Sequence, residues 1–486
     1  MVQKTFSVIS ALVIFLILAG AGTMITFYGN NQGYWWDEAV YLGLATSLYE
    51  GQGYYINFEQ ESFRPPLFAA MISSVWNITG VSEAAVYTMP IIFAIASIIL
   101  LYYFIRKLYS KEIAIWSSVL LATSHFFIFY SEKLLTETLF IFFVISGLYM
   151  YYLGMETRRK WLLPVAGAIM ALSFLTRYLG FLLMVVYVIY PLIRQRFWKT
   201  GRNPKKILKT VFLKGAWFWI GILAFLLILM PWFAFNQSVF GSPVGGMFVG
   251  MGTVTSNWFL GEWYFYFAHW FEMFGLVGIF LFPGLASMFT RLKKEDRMLL
   301  LLFFVSILFF MFLPRKELRY LMHYLPIYLT VFAVGIVRFR YWMGTRRLVY
   351  GAAVLMCFIN LFAGIQMIQL DTYAGSSLKQ AGLYLSDKVP EDATVMSNNI
   401  PQLYYTVGRD IAYFPGLEED LLPFIQEYNS AYVVIEAGEP SYPEWVWTTA
   451  DWVKSPSAVF DQPAFTLERT FEERNQTYVW VYKVNI

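Results

Sequence analysis

Runs of about 20 apolar residues, each long enough to cross a hydrocarbon core as a helix, recur from residue 6 to about residue 368 and then stop. Unpaired backbone groups are not tolerated in lipid, so a chain with many such runs folds as a bundle of membrane-spanning helices. Eleven spans are predicted, at 6–27, 84–105, 113–130, 134–153, 161–176, 178–193, 215–235, 268–289, 298–313, 318–337 and 348–368. Composition agrees. Of 486 residues 58% are hydrophobic and 14% charged, against roughly 25% charged in soluble domains. The expected fold class is a polytopic α-helical membrane protein of about eleven transmembrane helices followed by a soluble α/β domain. Its boundaries are a membrane domain at 1–370, with outer loops 28–83 and 236–267, and a tail at 371–486.

The charges orient this bundle. With the N-terminus inside, the inner connections carry "RKLYSK", "ETRRK", "RQRFWKTGRNPKKILKTVFLK", "RLKKEDR" and "RFRYWMGTRR", which hold most of the 36 Lys and Arg. This is the positive-inside pattern. It accounts for the net charge of +4 without a nucleic-acid partner and places the tail on the extracytoplasmic side of a multi-pass plasma-membrane protein. "AGAG" near residue 20 offers small residues for signal cleavage, yet the apolar run is long for a signal and reads as an anchor. Cys357, the one cysteine, falls within a span, so the tail is expected to depend on packing rather than on an intramolecular disulfide.

The first outer loop, with "ESFRPPLFAAMISSVWNITG", reads as lying along the membrane interface. The second contains "GSPVGGMFVGMGTVTSNWFLGEWYFYF", whose Gly and Pro break the helical pattern. The tail alternates helical and extended patterns and ends in a predicted hairpin, "TFEERNQTYVWVYKVN". Sequons at Asn77, Asn236 and Asn475 all fall on the predicted outer side. In "SYPEWVWTTADW" the aromatic residues suit a glycan by ring stacking, or a core, or a membrane surface.

Ionisable groups in or beside spans are functional candidates by default. They gather at the outer depth: Asp37 and Glu38; Arg64; His125, Glu132, Lys133 and Glu137; Arg177; Glu262, His269 and Glu272; and Arg315, Lys316, Glu317, Arg319 and His323 in "PRKELRYLMHYLP". Solvated, snorkelling span ends explain any one of them. They do not explain Glu137, Arg177, Glu272 and His323, each about a turn inside a span. The basic "PRKELRY" in an outer loop calls for an anion. Arg as a bidentate fork and Lys as a point charge suit a phosphate, and a phosphate at that depth is the head of a lipid, whether a substrate or an ordinary anionic headgroup. Attack by a hydroxyl on a phosphate-activated carbon needs a base at the nucleophile and a stabiliser for the departing phosphate. Asp37 or Glu38 could be that base. Glu132 and Glu137, five residues apart, do not share a helical face, and Glu137 is the better placed to point inward.

An apolar anchor followed by "DEAVY", then "RPPL", "SEKLLTET" opening the fourth span, and a late "LRYLMHYLP" together resemble the GT-C glycosyltransferases. The nearest branch is that of the dolichyl-phosphate-mannose protein mannosyltransferases and the lipid A aminoarabinose transferases. The resemblance covers about residues 1–370. It implies an inverting transferase moving a monosaccharide, mannose or a similar hexose, from a polyprenyl phosphate to a glycan, lipid or protein acceptor outside the membrane. It implies catalytic roles for Asp37, Glu38 and Glu137, with Arg64, Lys316, Arg319 and His323 on the donor phosphate and Glu132, Lys133, Arg177 and His269 in support. The tail does not resemble the MIR repeats of eukaryotic protein mannosyltransferases, and "YWWDEA" sits in the first loop rather than as the "WWDYG" of oligosaccharyltransferases. There is no Asp-x-Asp pair for a nucleotide sugar and no "GxxxxGK[ST]" for a nucleotide-driven pump. No cofactor is required by the sequence; a divalent metal could take ligands from Asp37, Glu38, Glu137 and a histidine. The rival readings are a transporter or flippase of lipid-linked sugar, which would need ionisable groups through both leaflets, and a non-catalytic cell-surface assembly protein acting through its tail.

Overall fold

The computed structural model describes residues 2–29, 31–61, 63–194, 215–255, 260–415, 421–437, 456, 458–474 and 476–486. Most of the "RQRFWKTGRNPKKILKTVFLK" connection, the aromatic 441–452 stretch and Asn475 lie outside the described residues, as does part of the 236–267 loop.

The chain divides into two compact units, Met1–Tyr28 with Ser62–Phe68 and Glu83–Ile368, and Gly29–Glu61 with Ala69–Ser82 and Gln369–Ile486. In the first unit every predicted span contains helix. It begins with α1 (Val2–Thr26), α4 (Glu83–Leu108), α5 (Lys111–Ala122), α6 (His125–Ser131), α7 (Glu137–Glu156), α8 (Leu162–Thr176) and α9 (Phe181–Arg194). Later helices include Ala216–Phe240, Leu281–Arg291, Lys294–Phe312, Leu325–Met343 and Arg346–Asp371. Among the described residues five helical segments are long and apolar enough to cross a membrane, or six if α5 and α6, bent by 57°, form one span. The rest of the eleven are shorter apolar helices or, as at Lys294–Phe312, carry several charges in the first turn. By length and composition, five or six of the described helical segments are candidate crossings.

Close helix contacts use small residues, as expected where lipid offers no hydrophobic drive between helices. A Cβ on Gly167 of α8 would stand 2.0 Å from the carbonyl oxygen of Gly221, so backbone meets backbone there. Tyr151 on α7 donates to the Tyr187 carbonyl of α9 at 2.7 Å, and Tyr187 to that of Phe218 at 3.1 Å. These contacts hold α7, α8 and α9 in register, and buried charges lie at the start of α7 and just after the end of α8.

The second unit is an α/β layer around a five-stranded sheet of order β4-β3-β5-β7-β6. Its strands are β3 (Thr394–Ser397), β4 (Ile411–Ala412), β5 (Ser430–Glu436), β6 (Phe465–Glu473) and β7 (Gln476–Val484), and β1 (Tyr55–Ile56) and β2 (Glu59–Gln60) form a separate small hairpin. β3 is parallel to β4 and β5, while β5-β7 and the predicted hairpin β6-β7 are antiparallel. Alternation sends Val395, Val434 and Val481 to one face, under the helices Ser376–Ser386 and Ile400–Val407. Met396, Val433, Ile435 and Trp480 go to the other, against Leu421 and Ile425.

Most of the first loop, Gly29–Glu61 and Ala69–Ser82, belongs to this unit. Helix α2 (Trp36–Tyr49) packs beside the Ile400–Val407 helix. Asn57 donates to the Ile411 carbonyl at 2.9 Å and accepts from the Ile411 amide at 2.7 Å, closing the exposed edge of β4. Tyr34 meets Tyr405 edge-on at 5.4 Å. Such pairings across some 350 residues leave no local pattern, which is why the tail alone was read as the soluble domain.

Candidate active site

Helix α7 begins with a buried carboxylate. Glu137 is wholly buried, and its Oε1 accepts from Arg177 at 2.7 Å. Arg177 comes from the break after α8, where the chain turns extended at φ −152° and the next three residues form a short 3-10 turn. Gly180 permits that turn, because a Cβ there would lie 2.4 Å from the Phe174 amide nitrogen. Arg177 Nε also donates to the Thr136 hydroxyl. The guanidinium thus bridges the two residues that open α7, and an isolated buried charge, costly in any interior, becomes a pair.

A third segment completes the cluster. The ring of His323 meets Phe140, one turn beyond Glu137, edge-on at 5.3 Å, and Tyr324 donates to the Leu179 carbonyl beside Arg177 at 2.7 Å. Glu317 lies between Arg315, at 2.5 Å, and Arg319, with the Tyr320 hydroxyl at 3.3 Å. The Tyr130 hydroxyl lies within the field of Arg319, Glu137, Glu317 and Arg177. Three guanidinium groups against two carboxylates leave this region of the first unit net positive. It suits an anion that brings its own charge, such as a phosphate.

Two residues assigned to the phosphate by resemblance are otherwise engaged. Lys316, 5% exposed, donates its ammonium to the carbonyls of Phe310 at 3.1 Å, Met311 at 2.7 Å and Leu313. It caps the C-terminal end of the Lys294–Phe312 helix, where orphaned carbonyls attract a cation, and all three of its donors are committed. His323 is fully buried with Nδ1 2.9 Å from the Tyr320 carbonyl. That carbonyl can only accept, so Nδ1 carries a proton, and Nε2 has no partner among the described residues.

The remaining candidates fall apart spatially. Arg64 lies over the Phe63 ring at 5.0 Å. His269 pairs with Glu272 at 2.7 Å, and His125 reaches the Glu272 carbonyl at 2.8 Å. No contact joins His269 to the Glu137 cluster among the described residues. Glu132 and Lys133, both buried, occupy the α6–α7 connection. The Lys133 ammonium is 5.3 Å from the Phe129 ring centre, and Oε1 of Glu132 has no hydrogen-bond partner among the described residues. Desolvation pushes the Glu132 carboxyl up to about 8, against a smaller lowering by Lys133.

Asp37 and Glu38 belong to the second unit, in the first turn of α2. Glu38 is wholly buried and its Oε2 accepts the Trp35 amide at 2.8 Å, the reach-back of a helix cap. That leaves Asp37, half-buried beside it, as the carboxylate of the pair that does not cap the helix through Trp35. Thr136, Tyr130 and Tyr320 escaped the sequence reading. Being neutral, they carry no signal of cost in an apolar span. Among the described residues no three His, Cys, Asp or Glu side chains gather as a metal site, so no step below is routed through a metal.

Comparison with known proteins places this architecture. The fold is that of the GT-C glycosyltransferases. The chain superposes on ArnT from Cupriavidus metallidurans bound to undecaprenyl phosphate with a TM-score of 0.69 at 11% identity, over 99% of this chain and 98% of that one. It superposes on the oligosaccharyltransferase AglB from Archaeoglobus fulgidus, in complex with an inhibitory peptide and a dolichol-phosphate, with a TM-score of 0.63 at 12% identity, over 88% and 69%. Residues 63–235 match the sequence model of the family described as dolichyl-phosphate-mannose-protein mannosyltransferase. No curated protein matches the sequence.

Removing the cation strands a buried carboxylate, so Arg177→Ala is expected to destabilise the protein by about 3–5 kcal/mol. Adding Glu137→Gln should restore part of the loss; thermal unfolding in detergent of the two variants reads this directly. A double variant no more stable than the single one would show that the pair is not what Arg177 supports. For Glu132, a folded pKa raised from 4.5 to about 8 means that its contribution to stability is whole below about 4.5 and is lost as pH rises through about 8. Melting temperatures between about pH 5 and 9 should fall more steeply for wild type than for Glu132→Gln, and parallel curves would refute the shift.

Proposed function

We propose that this protein is a glycosyltransferase that moves a single sugar, a hexose such as mannose, from a polyprenyl phosphate to a hydroxyl acceptor on the extracytoplasmic face. The observation that carries the reading is the net-positive cluster of Arg177, Arg315 and Arg319 around Glu137 and Glu317 on a GT-C fold. The family match and the lipid phosphates bound by ArnT and AglB support the donor class.

The chemistry is a single displacement. A carboxylate base, assigned to Asp37, takes the acceptor hydroxyl proton as that oxygen bonds to the anomeric carbon from the face opposite the phosphate. The bond from the anomeric carbon to the phosphate oxygen breaks, both its electrons leave with the lipid phosphate, and configuration inverts. Charge then grows on the phosphate. Arg319 is assigned to meet it, since fixed cations stabilise developing charge without reorganising at the moment of reaction. Arg177 and Glu137 hold the segments in place through their mutual pair, and Lys316 does so by capping the preceding helix. Acceptor identity, whether glycan, lipid or protein, is left to the remaining surface of the chain.

Transfer of radiolabelled sugar from polyprenyl-phosphate mannose or glucose to membrane acceptors tests this reading. Asp37→Asn is expected to lower turnover by at least about 100-fold, the scale of general-base catalysis, while the protein still inserts and melts normally. Arg319→Ala should raise the apparent KM for the donor and lower kcat, leaving acceptor dependence unchanged. Near-normal transfer by Asp37→Asn would remove the base assignment, and lipid-linked sugar crossing the bilayer without transfer would favour a flippase.

A further inference from the structure

The opposite end of the first unit holds a second feature. Helix α5 starts at Lys111 and continues through α6 to the connection that opens α7 at Glu137, so the Lys111 end and the Glu137 end are the two ends of one bent segment. At the Lys111 end lies a cavity of about 950 Å³ between α1, α4, α5 and the start of the Arg346–Asp371 helix. Its body is aliphatic and aromatic, with Ile14, Ile99 and Tyr103 each more than half exposed along it. The groove therefore opens sideways onto the apolar surface of the bundle, where hydrocarbon chains lie.

Its mouth is charged. Lys111, Arg346 and Arg347 border it with one carboxylate, Glu112. That carboxylate is already engaged: Arg340 donates to its Oε1, as do the Tyr350 hydroxyl at 2.6 Å and Arg346 at 3.1 Å. Counting Arg340, four cations face one anion. Tyr341 and Trp342, exposed by 63% and 61%, stand just beyond, where ring-bearing side chains mark the headgroup depth. An aliphatic groove below, a net-positive rim at headgroup level and interfacial aromatics beside it together match the shape of one amphiphile.

We propose that this groove is a binding site for an anionic two-chain phospholipid, with its acyl chains along α1 and α4 and its phosphate at the Lys111, Arg346 and Arg347 rim. The occupant is not the sugar donor. A donor phosphate serves the Glu137 end, and a headgroup anchored at Lys111 resides in the other leaflet. The site uses none of the residues assigned to transfer, and only the exclusion of the sugar donor as occupant rests on that reading. Its effect would be to fix α1 against α4 and α5 along the groove that separates them.

Native mass spectrometry of the full chain released from detergent reads the site, with phosphatidylglycerol or phosphatidylcholine added at equal concentration. Wild type is expected to retain one phosphatidylglycerol in preference to phosphatidylcholine. The Lys111→Gln/Arg347→Gln variant leaves the Arg340–Glu112 pairing in place and should lower that retention by about tenfold or more, given the attraction of each cation near a charged headgroup. Ile99→Trp, which fills the groove and keeps every charge, should lower it as well. Arg158→Gln/Arg159→Gln, a basic pair at the same end but outside the groove, should leave it unchanged. Equal retention of the two lipids, an equal loss from the Arg158/Arg159 variant, or displacement of phosphatidylglycerol by equimolar polyprenyl phosphate would each overturn the proposal.

Discussion

The organisation of one end of the first unit depends on the ion pair between Glu137 and Arg177. A carboxylate with no exposed surface at the start of a membrane helix is costly, and a well-placed guanidinium offsets that cost through its charge and a hydrogen bond to one carboxylate oxygen. The same guanidinium reaches Thr136, so it fixes the α7 start from two sides. To do so Arg177 must leave the helix, and α8 therefore ends at Thr176 with the chain extended before the Tyr178–Gly180 turn. The packing of Phe140 on His323 and the bond from Tyr324 to Leu179 then tie the late loop to this pair. One buried pair thus sets the geometry of three segments distant in sequence.

The late basic loop shows how a charge that looks like a ligand can serve as scaffold. "PRKELRY" carries three cations, and from sequence all three read as facing one anion. In the structure they divide. Lys316 turns back onto the last carbonyls of the helix before it and fixes the loop's departure. Arg315 and Arg319 flank Glu317. A lysine has three donors on a flexible stem and suits a cluster of converging carbonyls, whereas an arginine fork suits flat oxyanions. The division of labour follows from the side-chain chemistry.

The helices were legible in the sequence because a run of apolar residues states its own length: each predicted span contains helix, although 268–289 is divided among Trp270–Phe274, the 3-10 segment Gly275–Phe280 and Leu281–Arg291. The pairing of Glu137 with Arg177 was anticipated only as a need, since both are charges a turn inside spans and the partner of each lay in another span. Glu38, Lys316 and His323 make structural bonds that the sequence does not announce, for a common reason. Each bonds backbone groups within about six residues, and such local bonds look no different in sequence from a residue awaiting a ligand. The second unit was half legible. Period-two alternation marked β5 and the β6–β7 hairpin, but nothing in "YYINFEQ" announces that Asn57 will close the β4 edge at Ile411.

The acidic residues at the outer depth show how environment divides one chemistry into several tasks. Glu137 is committed to a guanidinium, and the pair organises the cluster. Glu38 is occupied by the Trp35 amide, and protonating it would weaken the start of α2. Glu132 lies at the other extreme: burial with an unpaired oxygen favours its neutral form, so at neutral pH it is mostly a proton holder. A base must be ionised, reachable and not already engaged as a structural acceptor. The cap on α2 works through Glu38, and Asp37 is half-buried in the same turn. The proposal of Asp37 as the base follows from its place in "DEAVY" after the first apolar run, the stretch that resembles the GT-C glycosyltransferases.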